Sequence, residues 1–508
     1  MRPIRALFAL VLAVAALAVA GCGSGGGGGS SSGAVPETAA LAPADAGLWA
    51  AVDTDATSAQ WTALDAVLAQ IPGAESAIDG VVDQVSNSGK KLDLRKDVLP
   101  ALGKEVVIVL PLGAAEPVVL AKPTNESTFD DLFTGSTPPV KTTRDGWTVI
   151  AKTQKALDAY TAVAGKGSLA DSDDFKKAMA GLPADALVRG YIDGKGLSGI
   201  AGTAAGSASG ALKNLPIPGA GSLPTTSGTV DTKALGRLGT IGFALSAAKN
   251  EIRVDGSVTG SGAEGVATYT PKLLRQVPAD ALAAISLGGN GATGSQIRNS
   301  LTAAGLDDPV VAVQKTLGVS LDDLLALADG EGVVYVRPSL IIPEVTAVLA
   351  PKDPARALKT LDAIAGKLTA SAGAKATRTT VDGITFTVLH VSILGIGIGR
   401  DGDRVVVTTV PTAVKDFDGS GAKLVDSDRF KAAAQDVGFG DTTSGFAYVD
   451  VKGLAPLLNT IASAAGSGSG SSASVQKVVA ALSAITSLTL NAQVEGGRVA
   501  FQGAVRVG

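Results

Sequence analysis

The sequence predicts an α+β protein of two tandem homologous domains, each a mainly antiparallel sheet with helices packed on one face. Three observations predict it. Short motifs recur in the same order in the two halves of the chain. The last segment of each half alternates apolar and polar residues with a period of two. Segments between the strands carry apolar residues at helical spacing. The 508 residues exceed the usual size of a single core, which also points to two domains.

Residues 1–21 read as a secretory signal. Arg2 and Arg5 supply a positive start, and Ala6 to Val19 is an apolar run of 14 residues, short for a membrane span. The run ends in Val19-Ala20-Gly21-Cys22, which resembles the bacterial lipobox, with Val where Leu is more usual. The resemblance implies cleavage before Cys22 and attachment of a diacylglyceryl group to its thiol. Two acyl chains hold a protein stably on a bilayer, whereas one holds it only marginally. Removal of the signal leaves 41 basic against 47 acidic residues, so acyl chains rather than charge must supply the anchoring. Residues 23–33 are only Gly and Ser, so residues 22–35 form a flexible tether. Its root-mean-square reach is roughly 20 Å and its full extension about 50 Å.

The rest of the chain repeats. Pro36-Glu37 and Pro43-Ala44-Asp45-Ala46 recur 235 residues later as Pro271-Lys272 and Pro278-Ala279-Asp280-Ala281. Thr142 to Gly146 recurs as Thr379 to Gly383. Leu169-Ala170-Asp171-Ser172-Asp173-Asp174-Phe175 recurs as Leu424-Val425-Asp426-Ser427-Asp428-Arg429-Phe430, and Tyr191-Ile192-Asp193 as Tyr448-Val449-Asp450. Residues 36–260 are therefore read as the first unit, 261–270 as a linker and 271–508 as the second unit. Each unit is large enough for its own core.

Strands are expected at 105–110, 117–121, 147–151 and 187–193, with counterparts at 332–336, 345–350, 404–409 and 445–450. In the closing hairpin, Leu488, Leu490, Ala492 and Val494 are placed inward and Thr489, Asn491, Gln493 and Glu495 outward. Trp61, Leu64, Leu68 and Ile71 mark one helical face. Phe175, Ala178, Met179 and Leu182 mark another, repeated as Phe430, Ala433, Ala434 and Val437. Asp171-Ser172 and Asp426-Ser427 offer N-caps.

The two units differ in two ways. The spacing between matching motifs grows by 18 residues around 385–403, which reads as an extra hairpin in the second unit. Gly/Ala/Ser-rich insertions at 201–231 and 462–474 precede both closing hairpins and read as loops, or as lids over an apolar groove.

Composition excludes several classes of function. One Cys forms neither an internal disulfide nor a zinc site, and one His excludes a multi-histidine metal centre. A net charge of −4 and few aromatic residues argue against nucleic-acid binding. Gly397-Ile398-Gly399-Arg400-Asp401-Gly402 has the GxGxxG spacing, but a dinucleotide site needs that turn to open a helix. Here a strand follows, so Asp401-Gly402 reads as a hairpin turn. His390 in the same β segment reads as structural. The pairs Asp130-Asp131, Asp173-Asp174, Asp307-Asp308 and Asp322-Asp323 read as solvated helix termini rather than acid/base pairs. Asp401 and Asp403 lack the rest of a calcium loop. Lys90-Lys91 and Arg95-Lys96 read as a solvated helix end. No GxSxG or GxxxxGK[ST] motif occurs.

With its lipobox, the Pro-Ala-Asp entries at Pro43, Pro183 and Pro278, and the Asp-Ser-Asp-x-Phe helix starts, the chain resembles a bacterial envelope family known as domain of unknown function 3352. The resemblance spans most of 36–508 and implies secretion and lipid anchoring, with no assigned activity. The expectation is an extracytoplasmic lipoprotein held on a bacterial membrane through Cys22. It is read as a non-enzymatic binding module for a lipid or other apolar envelope component, without cofactor or metal. The alternatives are a structural or partner-recruiting envelope protein and a carboxylate-dependent hydrolase.

Overall fold

The computed structural model describes residues 35–74, 93–114, 116–132, 139–194, 239–260, 263–289, 314, 318–339, 343–372, 375–391, 394–457 and 480–508. The first half contains β1 (Ala46–Asp53), α1 (Ala59–Leu68), α2 (Leu99–Leu102), β2 (Glu105–Pro111), β3 (Val118–Ala121) and α3 (Glu126–Asp131). It continues with β4 (Val140–Arg144), β5 (Trp147–Ala151), α4 (Gln154–Val163), α5 (Asp173–Met179), β6 (Val188–Asp193), β7 (Thr240–Ala248) and β8 (Glu251–Thr259). The second half contains β9 (Ala283–Gly288), α6 (Leu321–Leu327), β10 (Gly330–Arg337), β11 (Glu344–Pro351), α7 (Pro354–Ala372), β12 (Lys375–Val381) and β13 (Ile384–Val391). Then follow β14 (Leu394–Asp401), β15 (Arg404–Thr408), α8 (Lys415–Asp418), α9 (Asp428–Asp436), β16 (Gly445–Asp450), β17 (Ile485–Glu495) and β18 (Arg498–Val507).

Among the described residues, 18 strands form one sheet whose pairings are antiparallel, so the fold is α+β. The first half is ordered β4-β5-β3-β2-β1-β6-β7-β8. The second half is ordered β18-β17-β16-β9-β10-β11-β15-β14-β13-β12. The halves join where β8 pairs with β18. The strands β13 and β14 lie where the sequence predicts an extra hairpin.

Local chemistry sets these elements. Ser172 and Ser427 cap α5 and α9, accepting from the Phe175 and Phe430 amides at 3.4 Å each. Ser320 and Asp323 form a capping box on α6. The β4–β5 and β12–β13 turns place Asp145 and Asp382 at φ 52° and 50°, each followed by a glycine, as tight hairpins require. The helix α1 ends at Leu68, and its most buried positions are Trp61 and Val67 rather than the predicted Leu68 and Ile71.

Two contacts recur in the two halves. The Leu169 amide donates to Ala42 O at 3.0 Å, and the Leu424 amide to Val277 O at 2.8 Å. The Phe175 and Tyr191 rings lie 5.2 Å apart at 63°, and the Phe430 and Tyr448 rings 5.3 Å apart at 63°.

The prediction of helices on one face is corrected. In the first half both sheet faces are covered. Leu48, Ala50, Val106 and Ile108 pack against Trp61, Leu99 and Phe129 of α1, α2 and α3. The alternate residues Trp49, Ala51, Val107 and Val109 pack against Leu157, Tyr160 and Phe175 of α4 and α5. Strands buried on both faces read as continuous apolar runs, as in Val106 to Leu110, and lose the alternation that marks a solvated face.

The face assignment of β17 holds at Ala492, which is buried, and at Val494, which packs on the first-half core, but it is corrected at Leu488, Thr489 and Asn491. Leu488 is 38% exposed, whereas Thr489 and Asn491 are buried. Asn491 lies under the end of α9 and donates to Val437 O at 3.0 Å, so the polar residues Thr489 and Asn491 point into the core.

Candidate functional site

The candidate site is one face of the sheet in the second half. Ile285 pairs with Val334 and with Ala447, Ala283 with Val336 and Val449, Val336 with Val345, and Val449 with Leu488. Directly paired residues point the same way, so these side chains share a face. On it Ile285 is 46% exposed, Leu287 50%, Val334 37% and Val345 41%. With Leu488 they span β17, β16, β9, β10 and β11. Five adjacent strands make an apolar stripe about 19 Å across.

The opposite face is closed. Ala284, Val333, Tyr335, Val348 and Tyr448 form the main core of this half with Phe417 and Phe430. Farther out on the exposed side, α7 covers β13 to β15 through Leu358, Leu361 and Ala365 against Leu389, Ile398 and Val407. The apolar stripe lies between that patch and the β8–β18 seam. The same face of the sheet in the first half, around Leu48 and Ile108, is buried beneath α1, α2 and α3.

Of the stripe residues, the sequence singles out Leu488 alone, and places it inward. In Ala283-Ala284-Ile285-Ser286-Leu287 alternation marks two faces, but the buried set is Ala284 and Ser286 and the exposed set is Ile285 and Leu287. Alternation reveals parity, and hydrophobicity alone would have assigned that parity the wrong way round.

The sequence candidates for chemistry are dispersed. Gly397 and Gly399 lie within β14, and Gly402 sits in the β14–β15 turn, as the hairpin reading requires. Asp401 is ion-paired with Arg404, which also holds Asp418 at 2.6 Å. His390 lies on β13, exposed, with Nε2 3.0 Å from the Thr377 hydroxyl. Asp173-Asp174 and Asp322-Asp323 occupy the first turns of α5 and α6, and Asp130-Asp131 the end of α3. The Arg95 guanidinium lies 4.6 Å from the Trp61 ring centre and pairs with Asp65, and Lys96 lies 3.7 Å from Asp93. Cys22, Lys90-Lys91, Asp307-Asp308 and the insertions 201–231 and 462–474 lie outside the described residues.

Several carboxylates are pushed above their ordinary range, with burial as the first cause. Glu105 faces Arg189 at 3.3 Å, and Glu344 faces Arg337 at 3.1 Å. Glu251 lies 2.9 Å from Arg253 and is also raised by Asp436, which is itself paired with Arg506. These acids are held by guanidinium groups, the pattern of a structural ion-pair network. Among the described residues no group of three or more His, Cys, Asp and Glu is placed to hold a metal, and no helix is long and apolar enough to cross a membrane.

Three comparisons place the chain among known proteins. No curated protein matches it. A solved structure titled "Structure of crystal form III of TP0453" is similar at 11% identity, covering 46% of this chain and 80% of that one, with a TM-score of 0.21. The family profile described as "Protein of unknown function (DUF3352)" matches residues 149–503. A match over that much of the sequence identifies this chain as a member of the DUF3352 family.

Proposed function

We propose that the protein is a membrane-anchored extracytoplasmic lipoprotein that binds a lipid or another apolar envelope component without catalysing a reaction on it. The observation that carries this reading is the exposed stripe of Ile285, Leu287, Val334, Val345 and Leu488. Burying apolar area there stabilises a complex by roughly 25 cal/mol per Å² before the costs of association. The lipobox ending in Cys22 and the Gly/Ser tether supply the anchoring part of the proposal.

The reading includes a duplication, with units at 36–260 and 271–508 joined by 261–270. The matching strand orders, the paired Leu169–Ala42 and Leu424–Val277 bonds and the two like ring pairs support it. In this reading one unit keeps its apolar sheet face under helices and the other presents it.

Native mass spectrometry of the protein isolated without detergent and exposed to diacyl phospholipid vesicles tests the binding. A bound lipid that is lost in Leu287→Lys supports the proposal. Repeated absence of lipid on the unmodified protein sinks it. The exposure of the same stripe also favours a partner-recruiting role. Site-specific crosslinking from position 287 to another envelope protein, with no lipid bound, would establish that role instead.

A further inference from the structure

Among the described residues the sheet ends in two edges, β4 in the first half and β12 in the second. They are not alike. The strand β4 has five residues, and both of its cations are engaged. Lys141 pairs with Asp130, while Arg144 lies 3.3 Å from Asp145 and donates to the Tyr160 hydroxyl at 3.0 Å. The strand β12 has seven residues, and Lys375 to Thr380 are exposed on both faces of the sheet. Its register runs from Lys375 opposite His390 to Val381 opposite Ile384 without a bulge, and it contains neither proline nor glycine.

Turn geometry fixes which backbone groups of β12 look outward. Asp382 and Gly383 form the two-residue turn to β13, with φ 50° and 81°. In such a hairpin the residues flanking the turn exchange both backbone hydrogen bonds, and exchanging pairs then alternate along the strands. Val381, Thr379, Thr377 and Lys375 therefore bond to β13, whereas Ala376, Arg378 and Thr380 turn N–H and C=O to the open side. An unbroken register keeps these groups in line, as a template for one more strand.

Charge selects what adds there. Lys375 and Arg378 are the charged residues of β12, and their positions put them on opposite faces of the sheet. The charge of Arg378 acts on Asp362 of α7, and neither cation is ion-paired with a described residue. Edge cations keep a sheet from pairing with copies of itself. A second β12 brings two more cations, and β4 brings Lys141 and Arg144, so contact between copies is disfavoured at either edge. The same charges attract an acidic strand. We propose that β12 is a strand-addition site for an extended acidic segment of another protein. Acidic residues three apart in that segment meet Lys375 on one face and Arg378 on the other. Strands β13, β14 and β15 separate this edge from the apolar stripe, so the two surfaces are independent.

Fluorescence anisotropy of the full-length protein with a blocked, labelled Val-Glu-Thr-Val-Glu-Thr peptide tests this, alongside the same peptide with Lys in place of Glu. The Glu peptide should bind, with amide-exchange protection gained in β12, and the Lys peptide should not. Ala376→Pro removes one outward donor while sparing the backbone bonds to β13, and should weaken binding at least about fivefold. Lys375→Glu combined with Arg378→Glu should reverse the preference between the two peptides. That reversal decides the matter if Ala376→Pro does not fold. Absence of binding at the highest soluble peptide concentration overturns the proposal, as does equal binding of both peptides. Loss of peptide binding in Leu287→Lys, with β12 unprotected, also overturns it by placing the peptide on the apolar stripe. Lipid capture measured on the same samples separates failure at this edge from failure of the lipid reading.

Discussion

Asp255 accepts a hydrogen bond of 2.9 Å from Gln502 Nε2 at the point where the two halves of the sheet meet. The two residues are direct partners on β8 and β18. They also hold equivalent places in the two closing hairpins, counted from Thr240 and Ser487. If the two halves are the duplicated units proposed above, a pseudo-two-fold axis passes through this pair, as in an isologous dimer contact. One member of the pair is a carboxyl and the other an amide, so the contact attracts.

Burial is the first reason that the Asp255 carboxyl is pushed up, and Arg253 and the Gln502 bond pull against it. An acid whose folded value lies above its unfolded value contributes most stability while protonated. That contribution is lost as pH rises from the unfolded value through the folded one. Asp255→Asn removes this loss while keeping an amide beside Gln502. Urea denaturation of the variant and the unmodified protein should therefore diverge with pH. The stability of Asp255→Asn relative to the original should rise from about pH 4 to neutrality. A flat difference would show that Asp255 titrates alike in the folded and unfolded chain.

Phe175 in the first half and Phe430 in the second make like ring contacts. Both are essentially fully buried, and each meets a tyrosine at the same angle. Truncating a buried phenylalanine to alanine costs about 3–5 kcal/mol through lost transfer energy and the cavity left behind. Phe175→Ala and Phe430→Ala should each lose stability in this range when measured by chemical denaturation. A loss below about 1 kcal/mol in either would mean that its site collapses around the missing ring.

These phenylalanines and their Ser172 and Ser427 caps were legible in the sequence because helix starts are set by adjacent residues. Strand positions such as 147–151 and 445–450 were legible for the same local reason. What was not legible depended on distant chain. Thr489 and Leu488 alternate plainly, yet α9 decides which of them is covered. Val106 to Leu110 is strongly apolar because helices from two separate segments bury its two sides. The candidate stripe is a further case. No local pattern in Ile285 or Leu287 records that the same sheet face is closed in the first half and, among the described residues, exposed here.

Cys22 is read from local pattern alone. As the one cysteine of the chain, it makes thiol acylation easy to assign. In a bacterial host, labelled palmitate should be incorporated into the full-length protein and be lost in Cys22→Ser. The variant should also move from the membrane fraction to the soluble extracytoplasmic fraction, because a chain with net acidic charge gains little from an anionic lipid surface. Retention of label in Cys22→Ser would place acylation elsewhere than at the lipobox.

Leu287 separates a functional surface from a structural one. Half of its area is exposed, and its strand neighbours Ser286 and Gly288 carry no apolar side chain. If the stripe exists to bind, Leu287→Asp should change folding stability by no more than about 0.5 kcal/mol, as at other surface positions. It should also abolish lipid capture and weaken binding of a hydrophobic dye. If Leu287 serves the fold, the charge must be buried or its packing lost, and the cost should exceed about 2 kcal/mol. Denaturation and dye binding measured on the same sample distinguish these cases. A stable Leu287→Asp variant that still takes up phospholipid would show that the ligand binds somewhere other than this face.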